Sequence, residues 1–207
     1  MTVPVTCKRY DCDIANLEGS SVGKVILGLT ISLDGYIHDR NGSVGALYHD
    51  LDTLGTTAPM REAIQNTGAV VMGWNAFAMA NDPDSYAGNY EFQVPIFVLT
   101  HTVPRRQPKQ TDQLTFTFVT DGIESAIKQA NLAAGHKDVA VIGGARTAQQ
   151  CLTAGLADEL HIDIMPVLLN GGLRLFEAIG IEQVRLERMK VLELPAGRTH
   201  LRFAIVK

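Results

Sequence analysis

The chain has 207 residues, of which 46% are hydrophobic, and its formal net charge is −4. This length and hydrophobic content are enough for one substantial core. The negative net charge argues against nucleic-acid binding, which depends on clustered Lys and Arg. No apolar run of about 18 residues and no signal-peptide pattern occurs, so we expect a cytoplasmic protein without a membrane span that binds small molecules.

Cysteine and histidine spacing predicts no metal site. The cysteines are Cys7, Cys12 and Cys151, an odd number that suits a reducing compartment, and no histidine pair has the helical i, i+4 spacing of a ligand pair. Residues 1–23 lack sustained periodicity and are predicted to be a flexible leader before a single domain at 24–207.

Short apolar runs rich in branched residues predict a series of β-strands. The first, KVILGLTISLDGYI (24–37), suggests a central strand covered on both faces, with its end at Asp34-Gly35. Similar runs occur at 69–73, 95–100, 115–120 and 138–144. Helical or turn-rich stretches separate them, and this β-α-β rhythm predicts a mostly parallel sheet.

Two helices stand out between the later strands. In DGIESAIKQANLAAG (121–135), Asp121 and Glu124 fit a capping box, and apolar residues recur on one face. The second helix is predicted from about Ala145 to Ala154, with Gly155 as its C-terminal stop.

The C-terminal part of the chain has a different pattern. In DELHIDIMP (158–166) apolar residues alternate with His161 and Asp163, which predicts a strand with one dry and one polar face. We interpret His161 as a solvated or interface residue. The runs 184–194 and 199–207 have no helix between them and are predicted to pair antiparallel at one edge of the sheet.

Glycines close two of the predicted strands. Gly143-Gly144 leads directly into a helix, where bare backbone N–H groups at the positive helix end suit a phosphate, and Arg146 and Thr147 could add a charge and a hydroxyl. Gly73 has the same setting on another strand, and ligands bind at the carboxyl ends of parallel strands. Tight strand-to-helix turns would also explain these glycines.

Several polar residues near strand and helix ends allow two interpretations each. Thr100 is either a ligand contact or a strand-end hydroxyl, and Asp34 is either a cleft carboxylate or part of an ordinary Asp-Gly turn. Asp50 and Asp52 precede a predicted helix, where carboxylates often cap, and Tyr48 beside them is a candidate substrate contact.

Four segments together resemble the dihydrofolate reductase-like superfamily, in the branch of the C-terminal reductase domain of the bifunctional riboflavin-biosynthesis deaminase/reductase. They are GLTISLDGYI, VVMGWNAF, PIFVLT and the string from Val141 through Phe176. The last of these segments is the most specific, because it contains a GGA turn, an AGLADEL strand and a long PVLLNGGLRLF loop segment. The likeness covers residues 24–206 and implies an α/β three-layer sandwich with a mostly parallel central sheet and an antiparallel C-terminal edge.

The resemblance implies an NADPH-dependent reductase and a place for its cofactor. The nicotinamide would lie at the end of the first strand, the pyrophosphate at the two glycine-bearing strand ends, and the adenosine beside a third. The implied cofactor-binding residues are Leu29, Thr30, Ile37, Gly73, Trp74, Asn75, Leu99, Thr100, Gly143, Gly144, Ala145, Arg146 and Thr147.

The resemblance also bears on the substrate side. Asp34 matches the family acid at the mouth of the substrate cleft, so it is the predicted catalytic residue. Tyr36, Tyr48 and Asp50 are the predicted substrate contacts.

One segment departs from the family pattern. The family usually has Gly-Arg-x-Thr where this chain has Gly73, Trp74, Asn75 and Ala76, and that Arg supports the 2′-phosphate of NADPH. NADPH is still the expected cofactor, with NADH as the alternative. Compensation could come from a basic stretch, and Trp74 could stack on adenine or cap the sheet. The basic residues are Arg105, Arg106 and Lys109.

Two functions from different classes follow. The first is hydride transfer from NAD(P)H to a pteridine-like or pyrimidine-like heterocycle, as in dihydrofolate reductase and the riboflavin-pathway reductase. The second is a nucleotide-binding or sensor module that keeps the fold without catalysis. A flavodoxin-like flavin binder explains the late antiparallel strands poorly. We also expect a homodimer, because family members commonly pair and the late strands offer an edge that needs cover.

Overall fold

The computed structural model describes residues 23–177, 180 and 183–207, and the predicted leader with Cys7 and Cys12 lies outside them except for Gly23. Within the described residues the elements follow in this order: β1 (Val25–Ser32), β2 (Tyr36–His38), α1 (Leu51–Leu54), α2 (Ala58–Asn66), β3 (Thr67–Gly73), α3 (Trp74–Phe77), α4 (Tyr86–Asn89), β4 (Ile96–Leu99), β5 (Phe116–Val119), α5 (Ile123–Ala134), β6 (Asp138–Ile142), α6 (Ala145–Thr153), β7 (Glu159–Met165), β8 (Leu173–Arg174), β9 (Arg185–Glu193) and β10 (Thr199–Val206).

Eight of the strands form one sheet in the order β5-β4-β3-β6-β1-β7-β10-β9, and β2 pairs with β8 in a small second sheet. The strands from β5 to β7 are parallel, whereas β10 runs antiparallel to both β7 and β9. The predicted parallel sheet with an antiparallel C-terminal edge is therefore confirmed.

Alternate residues of the central strands pack into two apolar layers. On β6, Val139 and Val141 face the cluster formed with α5 and α6, while Ala140 and Ile142 face the cluster that includes Phe77 of α3. Helix α2 packs against the second cluster through partly buried residues such as Met60. The sheet thus has helices on both faces, which makes the expected three-layer sandwich.

The predicted helices exist, but one of their predicted caps is wrong. Helix α5 is entered through Gly122, whose φ of +106° is accessible to glycine, and no side chain caps the helix. The expected capping box of Asp121 and Glu124 does not form, because the helix begins one residue later than that motif requires. Helix α6 ends before Gly155, which has a φ of +64°, as expected for a glycine stop.

The outer strands of the main sheet are β5 and β9. Strand β9 exposes Met189 and Val191 along its length, and an open edge of this kind can accept another chain. The homodimer stays a prediction. In the part of the chain that the structure describes, no helix has the length and apolar character needed to cross a membrane.

Candidate active site

Two cavities meet beside β1. The larger, a cleft of about 1390 Å³, lies at the carboxyl ends of the parallel strands, and the smaller, of about 550 Å³, lies over one face of β1, β7 and β10. We call them the cleft and the polar cavity. Gly28, Leu29, Thr30 and Tyr48 line both, so a ligand in the cleft can touch one in the polar cavity along this part of β1.

The structure brings all thirteen residues implied for the cofactor to the wall of the cleft. They come together because β1, β3, β4 and β6 are neighbours in the parallel part of the sheet, so their carboxyl ends share one rim. A single elongated ligand could therefore contact all four strand ends.

The two glycine-bearing strand ends support each other across this rim. A Cβ on Gly73 would lie 2.5 Å from Thr147 Oγ1, and a Cβ on Gly143 would lie 2.6 Å from Ala76 Cβ. Gly143 and Gly144 also have φ values of +80° and +78°, which favour glycine. The bare backbone at these positions is thus required by close packing, and the first amides of α6 have no acceptor within their own helix.

The Gly143→Ala variant is expected to weaken nucleotide binding at least about tenfold, which is about 1.4 kcal/mol. Its methyl group would press on Ala76 and displace the start of α6. Gly135→Ala is the matched control, since Gly135 has a φ of +63°, open space around its Cβ and a position away from the cleft. Both variants carry the left-handed penalty of roughly 1–2 kcal/mol. Fluorescence titration with NADPH should separate them, and equal dissociation constants would contradict the phosphate cradle.

The expected adenosine end of the cleft contains Trp74 and Arg105. The Trp74 ring packs 5.6 Å from Phe77 and 6.4 Å from Phe118, so it caps the sheet while still lining the cleft. Arg106, a predicted source of compensating charge, instead pairs with Asp84. The cleft-lining Arg105 is therefore the better candidate for a 2′-phosphate contact.

The floor of the polar cavity is a grid of side chains from three adjacent strands. Thr30 of β1 is the register partner of Asp163 of β7, and Asp163 is the partner of His200 of β10. Two residues further along these strands, Gly28 is the register partner of His161, and His161 is the register partner of Arg202. Because side chains alternate along a strand, these residues share one face of the sheet.

A fully buried guanidinium anchors one corner of this grid. Arg198 has no exposed side-chain surface and donates to Asp50 Oδ1 at 2.6 Å and Oδ2 at 3.0 Å. It also donates to the Leu47 carbonyl at 2.9 Å, Thr30 Oγ1 at 3.2 Å and Asp163 Oδ2 at 3.3 Å. The hydrogen bond to Arg198 lowers the pKa of the Asp50 carboxyl despite its burial, so the pair stays charged.

A second chain of hydrogen bonds continues from Asp163. Its Oδ1 lies 2.6 Å from His200 Nδ1, and Arg202 Nε lies 3.0 Å from His200 Nε2. Arginine only donates hydrogen bonds, so His200 Nε2 is the acceptor. The proton of the imidazole ring therefore lies on Nδ1, toward Asp163. The guanidinium of Arg202 is held in turn by both oxygens of Glu62 at 2.8 and 2.9 Å. Both ring nitrogens of His200 are therefore occupied.

His161 forms a separate pair with Glu159 on the same floor. His161 Nε2 lies 2.9 Å from Glu159 Oε2, and Lys24 Nζ donates to Glu159 Oε1 at 2.5 Å. Burial favours the neutral acid, but the bonds from Lys24 and His161 outweigh it and lower the pKa of Glu159. Burial lowers the pKa of His161, and Glu159 partly opposes this effect.

The predicted catalytic residue Asp34 lines neither cavity, and its catalytic role stays a prediction. Its Oδ1 accepts from Ser32 Oγ at 2.6 Å and from the Leu169 N–H at 3.1 Å, and its Oδ2 accepts from the Asn170 N–H at 2.8 Å. These bonds, that of Ser32 foremost, lower its pKa to about 2. Asp34 fastens the segment after β7 to the turn after β1.

Two of the three predicted substrate contacts also lie outside both cavities. Tyr36 belongs to the small sheet, where the Arg174 guanidinium lies 4.6 Å from its ring centroid. Asp50 occupies the cap position of α1 without capping it, because Arg198 takes both of its oxygens. Tyr48 alone of the three lines the cavities, and burial raises the pKa of its hydroxyl.

Sequence reasoning missed most of the polar cavity. The alternation around His161 indicated a polar face, but nothing in the sequence placed His200 and Arg202 of β10 beside it. Glu62, the ion-pair partner of Arg202, lies 140 positions from it in the chain. The only available signal was the prediction that the late strands pair at the sheet edge.

The chain has the fold of the dihydrofolate reductase-like superfamily. The dihydrofolate reductase of Enterococcus faecalis, solved with NADP(H), superposes with a TM-score of 0.57 at 14% identity, over 90% of this chain and 99% of that one. Within the superfamily, the chain belongs to the RibD C-terminal domain family, which it matches over residues 23–199.

The chain is also similar to two further proteins. A putative riboflavin biosynthesis protein from Shewanella sp. PV-4 superposes with a TM-score of 0.72 at 24% identity, covering 89% of this chain and 99% of its own. The uncharacterized protein YyaP of Bacillus subtilis (strain 168) is 27% identical over 164 residues, which are 74% of this chain and 80% of YyaP.

Proposed function

We propose that the chain is an NAD(P)H-dependent reductase that transfers hydride to a C=N or C=O bond of a pteridine-like or pyrimidine-like heterocycle. The observation that carries this proposal is the junction of the cleft and the polar cavity along Gly28, Leu29 and Thr30. Hydride transfer requires the two reactants in contact, and this stretch of β1 is a wall that both cavities share.

The residues of the cleft fit a dinucleotide. Bare backbone at Gly73 and Gly143 can approach a pyrophosphate closely, and the exposed Arg146 on the cleft wall adds a positive charge. When bound, the reduced nicotinamide would supply the hydride, and the chain would bind and orient it. Arg105 at the adenosine end supports NADPH, and the absence of an arginine after Gly73 keeps NADH as the alternative.

The charges of the polar cavity favour a substrate without a phosphate group. Among the described residues, the lysine and the arginine that line this cavity are both taken by carboxylates, Lys24 by Glu159 and Arg202 by Glu62. A phosphorylated substrate would have to displace one of these carboxylates, whereas a neutral heterocycle with amide and amino edges meets matching donors and acceptors.

The test is cofactor binding followed by turnover. Purified protein is titrated with NADPH and NADH by fluorescence, and oxidation is then followed with dihydrofolate and with a ribosylamino-pyrimidine in phosphorylated and dephosphorylated forms. We expect turnover, with kcat/KM for the dephosphorylated pyrimidine at least about tenfold higher, equivalent to about 1.4 kcal/mol.

Other results would contradict the proposal. Binding of a nucleotide without turnover on a broad heterocycle panel would favour the sensor module, and no binding of either nucleotide would exclude both functions. A preference for the phosphorylated form would show that Lys24 or Arg202 is released for the substrate.

A further inference from the structure

We propose that His161 donates the proton that completes the reduction, and that Glu159 positions it. This inference rests on the proposed reductase function and names the group that acts on the substrate. A reduced C=N bond needs a proton on nitrogen as well as a hydride on carbon, so the polar cavity must contain a donor near the junction with the cleft.

The position of His161 places it beside that junction. His161 is the register partner of Gly28, and a Cβ on Gly28 would find no atom within 4 Å. Because Gly28 has no side chain, open space lies next to His161 where the two cavities meet. Both residues line the polar cavity, and Gly28 lines the cleft as well.

The imidazole has one nitrogen held and one nitrogen open. Nε2 lies 2.9 Å from Glu159 Oε2, whereas no hydrogen bond of Nδ1 is present among the described residues. In the same part of the chain, no buried side-chain nitrogen or oxygen lacks a partner. Nδ1 is therefore accessible to a ligand, in a side chain that is 15% exposed.

The other polar groups of this floor are less suited to the role. His200 uses both ring nitrogens, one toward Asp163 and one toward Arg202. Glu62 is ion-paired with Arg202, and that hydrogen bond lowers its pKa. Tyr48 reaches both cavities, but burial raises the pKa of its hydroxyl and makes it a weaker acid.

The step balances with the proposed cofactor as the electron source. The reduced nicotinamide, when bound, would supply the hydride for a new C–H bond at the carbon of the C=N group, and the π electron pair of that group would move to nitrogen. As the N–H bond forms there, the Nδ1–H bond of His161 breaks and leaves a neutral imidazole whose Nε2–H still points to Glu159. A solvent proton then restores the imidazolium.

The charged and titratable groups around His161 set how its protonation depends on pH. Burial is the strongest influence and lowers the pKa of His161, Glu159 on β7 favours the imidazolium, and Arg202 and His200 on β10 oppose it. Lys24 contacts Glu159, and Glu62 of α2 contacts Arg202. Since the donor is the protonated ring, kcat should fall as the pH rises through the pKa of His161 in the ternary complex.

The decisive variants are His161→Asn and Glu159→Gln, with His136→Asn as the matched control because His136 is exposed and lines neither cavity. We expect H161N to lower kcat about 100-fold, to abolish the alkaline fall of kcat and to leave the NADPH dissociation constant unchanged. E159Q removes a charge that favours the imidazolium, so it should lower kcat less and shift the alkaline limb to lower pH. H136N should match the wild type.

Several outcomes would overturn the inference. If the wild type turns over and H161N keeps its full kcat, His161 is excluded as the donor while the reductase function stands. The same holds if Tyr48→Phe, and not H161N, abolishes the alkaline fall of kcat. If H161N does not fold, an unshifted limb in E159Q, or a wild-type kcat that is flat between about pH 5 and 8, serves the same purpose. A wild type without any turnover would remove the proposed function and this inference together.

Discussion

Replacing Arg198 with methionine is expected to lower the free energy of unfolding by about 3–5 kcal/mol. The guanidinium is fully buried and neutralises Asp50, whose side chain is 3% exposed, while also bonding Asp163. Methionine fills similar volume but leaves these carboxylates without their cation, and an unpaired buried charge is strongly destabilising. Urea unfolding at neutral pH measures the difference.

The control is Arg106→Met, which removes the exposed ion pair with Asp84 and should cost no more than about 1 kcal/mol. The pKa of Asp50 is lowered in the folded protein, so its stabilising contribution is present above the unfolded value of 3.8 and is lost as the pH falls through the folded pKa. The gap between wild type and R198M should therefore shrink in acid. A loss below about 1 kcal/mol at neutral pH would refute the anchoring role of Arg198.

Gly28→Val is expected to reduce hydride transfer at least about 100-fold while the protein remains folded, since a displacement of about 1 Å between reactants can have this effect. A Cβ at this position would meet no protein atom within 4 Å, so a side chain built on it is expected to extend into the open junction of the two cavities. A β-branched residue suits the extended backbone of a strand, and β1 should form normally.

The graded control for this effect is Gly28→Ala, whose single methyl group should slow the reaction less than valine does. NADPH affinity should change less than turnover in either variant, because most of the expected cofactor contacts lie on strand ends other than that of β1. Single-turnover oxidation of NADPH and thermal melting give the two readouts. Unchanged turnover in G28V would mean that cofactor and substrate do not meet at this strand.

Sequence patterns predicted the strands of the fold well, because each strand could be recognised from its own local run of residues. Each apolar run became a strand near its predicted position, and the glycines after β3 and β6 came together because parallel neighbours must place their carboxyl ends on one rim. Such inferences need the strand order only in outline. The predicted cofactor wall is therefore the part of the candidate site for which sequence reasoning was most informative.

The substrate side could not be predicted in this way because its contacts are long-range and polar. The position of Asp34 in an Asp-Gly turn after β1 suggested a carboxylate in the cleft. Its oxygens instead accept hydrogen bonds from backbone amides 135 and 136 positions away. Arg198 follows a short Pro-Ala-Gly turn, and nothing in that context indicates a buried cation. The role of a polar side chain depends on which groups lie next to it in the folded chain, and these can be far away in sequence.

The polar residues of β7 have a consequence for folding as well. Glu159, His161 and Asp163 alternate with Leu160 and Ile162, which are buried against the helices on the opposite side. A slip of one position in the pairing of β7 with β1 would exchange these sides and drive three ionisable groups into hydrocarbon. The polar side chains of β7 thus also exclude misaligned pairings during assembly, so replacing all three with apolar residues should yield several coexisting strand alignments.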